Sequence, residues 1–85
     1  MKILAKYCSA ATQIHTGKCY FVGVAGEYNG GVHNMESGGT ATTANTIGQV
    51  RKGFCETYMV PLPGVECNNG LYVGDTDKLI VYYYI

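Results

Sequence analysis

With 85 residues, six cationic and six anionic side chains and only 14% charged positions, the chain has room for one domain and no surplus of either sign. That balance excludes an electrostatic grip on a nucleic-acid backbone, because Lys2, Lys6, Lys18, Arg51, Lys52 and Lys78 are scattered. No stretch approaches the roughly 18 apolar residues of a membrane helix, and the N-terminal apolar run is too short, and broken by Lys6, for a signal peptide.

The expectation is therefore a product made and folded in a cytoplasm, with no nucleic-acid or membrane partner. A domain of this size buries only about 60–65% of the surface its unfolded chain exposes. Charge falls well below the roughly 25% usual in soluble domains. Glycine (12) and tyrosine (8) fill the space, which implies surface that is covered in the working state.

Taken in chain order, strands are expected near residues 2–8, 18–26, 31–36, 46–51, 54–60, 71–73 and 78–85, where β-branched and aromatic residues dominate. Turn chemistry separates them: Thr16-Gly17, Asn29-Gly30-Gly31, Ser37-Gly38-Gly39, Lys52-Gly53, Pro61 to Gly64, Asn68 to Gly70, and Gly74 to Asp77. Residues 9–15 carry enough helical signal for a single turn at most. Residues 37–46, rich in Gly and Thr, read as a mobile loop. Short strands at this spacing predict one all-β domain over 1–85, a small antiparallel β-sandwich of jelly-roll type with seven to eight strands.

Alternation sharpens the expectation. In the last strand Leu79, Val81, Tyr83 and Ile85 share one face, and Ile80, Tyr82 and Tyr84 the other. In 18–26, Cys19 and Phe21 oppose Tyr20, Val22 and Val24. In 54–60, Phe54, Tyr58 and Val60 oppose Cys55, Thr57 and Met59. Both faces are apolar in all three, yet a two-layer monomer covers one face of each sheet. The outer faces then call for a partner.

No catalytic, cofactor or metal motif stands out. Cys8, Cys19, Cys55 and Cys67 lack the paired knuckles of a zinc site. They are expected as buried free thiols, while two disulfides, most simply Cys8–Cys19 and Cys55–Cys67, remain open among three connectivities. His15 and His33 read as surface or turn histidines. Asp75-Thr76-Asp77 reads as a hairpin turn rather than a calcium site. Gly23 to Gly26 and Gly38-Gly39 lack phosphate-loop spacing. Glu27, Glu36, Glu56 and Glu66 offer no general acid and base pair.

The order of features resembles a known family. Residues 14–24 (Ile-His-Thr-Gly-Lys-Cys-Tyr-Phe-Val-Gly-Val) form the first long strand. Gly31-Val32-His33-Asn34-Met35-Glu36 and a Gly/Thr/Ala-rich loop follow. Then come Pro63-Gly64-Val65, Asn69-Gly70-Leu71-Tyr72-Val73 and a closing Val/Tyr strand. The whole resembles the small virion-associated β-sandwich proteins of tailed bacteriophages, marine and cyanobacterial ones above all. The four cysteines depart from that pattern.

The resemblance implies a non-enzymatic capsid decoration (cement) subunit in the virion, without catalytic residues or cofactor. It implies a homo-oligomer, a trimer first, bridging copies of the major capsid protein. Tyr20, Val22, Ile80, Tyr82 and Tyr84 are the expected subunit contacts. Two rival expectations stand beside it. One is a glycan- or receptor-binding fibre tip using Tyr28, Asn29 and Asn34. The other is a small enzyme or inhibitor acting in the host cell.

Overall fold

Glycine-rich turns and β-branched runs leave the backbone to satisfy its hydrogen bonds between strands rather than within helices. The computed structural model describes residues 2–26, 30–35, 45–51, 56–74 and 78–85. Within them lie nine strands: β1 (Leu4–Cys8), β2 (Thr12–Thr16), β3 (Cys19–Gly26), β4 (Gly30–Asn34), β5 (Thr46–Val50), β6 (Glu56–Met59), β7 (Val65–Cys67), β8 (Gly70–Val73) and β9 (Leu79–Tyr84).

All seven expected strands are present in their described parts, and two more join them. The 9–15 segment forms no helical turn, since Thr12, Ile14 and Thr16 favour the extended backbone of β2. Strand β7 fits into three residues directly after Pro63-Gly64. The Gly/Thr-rich segment 37–46 lies outside the described residues except for Asn45 and Thr46, as do Cys55 and Asp75 to Asp77.

Two antiparallel sheets result. One has the order β1-β9-β3-β6, with β7 beside β6 on the same flank of β3; the other has the order β2-β8-β4-β5. Strands β6 and β7 follow one line along β3, β6 on Gly23 to Gly26 and β7 on Cys19 to Phe21. Counted as one interrupted strand they leave eight. Their order, β1-β9-β3-β6/β7 over β2-β8-β4-β5, is that of a jelly roll, two Greek keys folded face to face. The Cα radius of gyration is 11.4 Å, against about 12 Å for a single compact body of this length.

The core lies between the sheets. Phe21, Val24, Leu79 and Val81 project from the first sheet, and Val32, Val50, Leu71 and Val73 from the second, all fully buried. Phe21 is the largest, and Gly48 makes room for it: a Cβ there would sit 2.8 Å from the ring. Gly64, at φ +89, lies where a Cβ would come within 2.5 Å of the Phe21 carbonyl oxygen. Only glycine fits that position, on conformational and steric grounds alike.

A β-bulge decides which side chains reach the core. Phe21 pairs with Tyr83 and Gly23 with Tyr82, so Val22 is the extra residue in β3. Beyond it the parity flips, and Val24 joins Cys19 and Phe21 on the inner face instead of opposing them. Val22 is 3% exposed, and its carbonyl accepts the Val60 N–H at 2.9 Å.

Candidate functional site

The outer face of the β1-β9-β3-β6/β7 sheet is built from three cross-strand rows set by the register. Tyr7, Ile80, Ala25 and Thr57 form the first; Ala5, Tyr82, Gly23 and Met59 the second; Tyr84, Tyr20 and Glu66 the third. The Met59 side chain lies over Gly23, where a Cβ would overlap its sulfur. Tyr20 and Tyr84 stack, with ring centroids 4.7 Å apart and planes 14° apart, a geometry worth about 0.5–1.5 kcal/mol beyond burial. The Tyr84 hydroxyl donates to the Pro63 carbonyl, which ties the pair to the 60–64 loop.

Among the described residues, charge sits at the margins of this face. At one corner Lys18 lies 5.7 Å from the Tyr20 ring centroid and 3.4 Å from Glu66. Both its neighbours raise the Lys18 pKa, the hydrogen bond to Tyr20 first. At the opposite end Arg51 holds Glu56 through a bidentate contact, 2.9 Å at its shortest. That contact lowers the Glu56 pKa and raises that of Arg51. Exposed pairs of this kind add little stability. Next to Glu56 the face dips into a cleft of about 380 Å³ between Tyr7, Thr57, Lys78 and Ile80.

The second sheet's outer face has a different character. Gln13, Tyr72, His33 and Thr46 make one polar row across it. His33 is only 6% exposed, against the expectation of a surface histidine. Tyr72 packs on it with centroids 6.3 Å apart, and Thr46 Oγ1 lies 3.1 Å from its Nδ1. Burial lowers its pKa. His15 turns its ring toward Tyr83, with centroids 6.2 Å apart.

Of the expected contact residues, Tyr20, Ile80, Tyr82 and Tyr84 share the outer face of the first sheet. Val22 does not offer itself there, because the bulge and the 60–64 loop cover it. Met59 and Tyr7, 52% and 60% exposed, extend the same face. Alternation within 54–60 already set Met59 opposite Tyr58, but not next to Tyr82. Tyr28 and Asn29 lie outside the described residues. Asn34 is half-buried, and its Oδ1 has no hydrogen-bond partner among the described residues.

The described thiols, Cys8, Cys19 and Cys67, are buried and unbridged. Cys8 faces Leu79, whereas Cys19 lies one rung beyond Tyr84, so about 20 Å of strand separates their levels. That removes the Cys8–Cys19 disulfide, which requires Cα atoms within about 7 Å. Cys67 stands opposite Cys19 instead. Among the described residues no three His, Cys, Asp or Glu side chains cluster to hold a metal ion, and no helix is long and apolar enough to cross a membrane.

Compared with protein-family models, curated proteins and solved structures, the chain matches none.

Proposed function

We propose that this chain is a non-enzymatic structural subunit of a tailed-phage virion, a capsid decoration protein that docks through the outer face of its β1-β9-β3-β6/β7 sheet. The observation that carries the reading is the aromatic and aliphatic centre of that face, Tyr7, Tyr20, Ile80, Tyr82, Tyr84 and Met59, with the ion pairs of the described residues at its margins. Protein interfaces share this anatomy: Tyr and Met enriched in the middle, ion pairs at the rim. The stacked and tethered Tyr20–Tyr84 pair is rigid before contact, so ordering it costs little on binding.

Size supports a weak contact multiplied by repetition. Four strands about 4.8 Å apart and six residues long give a face of roughly 400 Å². A standard interface buries about 800 Å² per partner. One such face holds a partner loosely, and many copies on a shell add their small energies at high effective concentration. A face stacked on its own copy closes a two-fold dimer, so the trimer implied by the phage resemblance needs the face to meet a different patch of its neighbour.

Quantitative mass spectrometry of purified virions tests the reading, as copies of this chain per major capsid protein. A ratio near one or one-third supports shell decoration, and absence from the particle overturns the virion assignment. A few copies per particle would favour a fibre tip, for which the cleft between Tyr7, Glu56 and Thr57 is the place where an aromatic ring and polar groups meet for a sugar. In solution, Tyr82→Ser with Tyr84→Ser should lower the mass of any oligomer to that of the monomer. An unchanged mass removes this face from self-association.

A further inference from the structure

We propose that Cys19 and Cys67 are a thiol pair built to close into a cross-strand disulfide, clipping the short edge strand β7 to β3 when a small-molecule disulfide supplies the oxidising equivalents. The two residues are directly opposed in the antiparallel register. Directly opposed residues have Cα atoms about 4.5–5.5 Å apart, inside the 4.4–6.8 Å range that a disulfide spans. Both are fully buried in the core. Cys8 is excluded as a partner for Cys19 by its place at the far end of the sheet.

The pair is asymmetric. The neighbouring Cys67 thiol lowers the Cys19 pKa against the opposing effect of burial. The same contact, with burial behind it, pushes Cys67 up. With β7 open, either sulfur can attack first; when Cys19 does, its thiolate cleaves the S–S bond of the small disulfide, forms a mixed disulfide and releases one small thiol. Cys67, once deprotonated, attacks the Cys19 sulfur and expels the second small thiol. Two protein thiols are oxidised, one external disulfide is reduced, and the protons leave on the two departing thiols.

Access comes through β7. It has three residues, pairs with β3 alone, and is bounded by Pro63-Gly64 and Asn68-Asn69. Such an edge opens at the low end of a domain's local stability, and opening it uncovers both sulfurs together. The shape of the fold is unchanged by the bond, because register already fixes the partners. What changes is whether β7 can leave.

The test exposes the full chain to glutathione disulfide under native conditions, then blocks remaining thiols with N-ethylmaleimide in denaturant. Digestion with trypsin and a glutamate-specific protease cuts after Glu56 and Glu66, which separates Cys55 from Cys67 for mass spectrometry. The expected result is a Cys19–Cys67 linked peptide, with two of the four thiols lost to alkylation and Cys8 still alkylated. Cys67→Ser should stop the reaction at a mixed disulfide on Cys19. The same oxidation in urea should scatter the pairings. A native-state product dominated by any other pairing, or four thiols still open to alkylation, overturns the proposal.

Discussion

Closing Cys19 to Cys67 should raise stability by an amount the topology sets. The bridge would close a loop of about 49 residues, for which loss of unfolded-chain entropy predicts about 4 kcal/mol. A domain of 85 residues has roughly 4–13 kcal/mol in total, so the bond could nearly double the stability of a weak member of that range. The chain has no tryptophan, so far-UV circular dichroism is the signal for urea unfolding. At a slope of about 1 kcal/mol per molar, the midpoint of the oxidised form should move up by as much as ~4 M. The slope itself should fall, because a cross-linked unfolded chain exposes less surface. Coincident midpoints, or a lower one for the oxidised form, would refute the reasoning, since a strained bond would then be offsetting the entropy term.

Other outcomes follow from single side chains. Gly64→Ala forces a Cβ onto the Phe21 carbonyl at a left-handed φ and should cost about 2–3 kcal/mol in chemical unfolding. Tyr84→Phe keeps the stack on Tyr20 but loses the hydrogen bond to Pro63; a loss of about 1 kcal/mol is expected, and none at all would mean the tether is not formed in solution. His33 is held neutral by burial, its pKa below the ordinary 6.5. The unfolded chain therefore binds a proton first as pH drops. Stability from this group is complete above about pH 6.5 and falls as pH moves from there through the lower folded value, by at most about 1.4 kcal/mol per pH unit. Unfolding midpoints at pH 7.5 and pH 5 should differ less in His33→Gln than in the parent chain.

Strand β9 shows what the sequence could convey. Its alternation assigned Leu79, Val81 and Tyr83 to one side and Ile80, Tyr82 and Tyr84 to the other, and the fold keeps both sets. In β3 the same reasoning failed at one point. Valine is apolar on either face, so nothing in Phe21-Val22-Gly23-Val24 marks the bulge that sends Val22 under the 60–64 loop and Val24 into the core.

Strand β2 was hidden because Ala10 and Ala11 precede it with helical propensity, and Ile14 is itself a bulged residue. Strand β7 was hidden by its length and by the prolines before it. His33 was misread because a lone polar residue in a short strand beside Gly31 and Asn34 looks solvent-facing. Its burial depends on Tyr72 and Thr46, which lie 39 and 13 positions away in the chain. The Cys19–Cys67 pairing likewise needs the register of β7, which no spacing rule supplies.

The interruption between β6 and β7 has a consequence for growth. Sheets recruit further strands through unbroken rows of free N–H and C=O groups. On the β3 side of the first sheet that row is cut by Val60 to Gly64, where Pro61 and Pro63 carry no N–H. On the opposite side the β1 edge is continuous, guarded only by the exposed Lys6. A foreign strand therefore finds a longer unbroken row at β1 than along the β6/β7 flank. Pairing two β1 edges uses the longer row on both copies, and the interrupted β6/β7 row is then what this sheet offers for further growth in a crowded array.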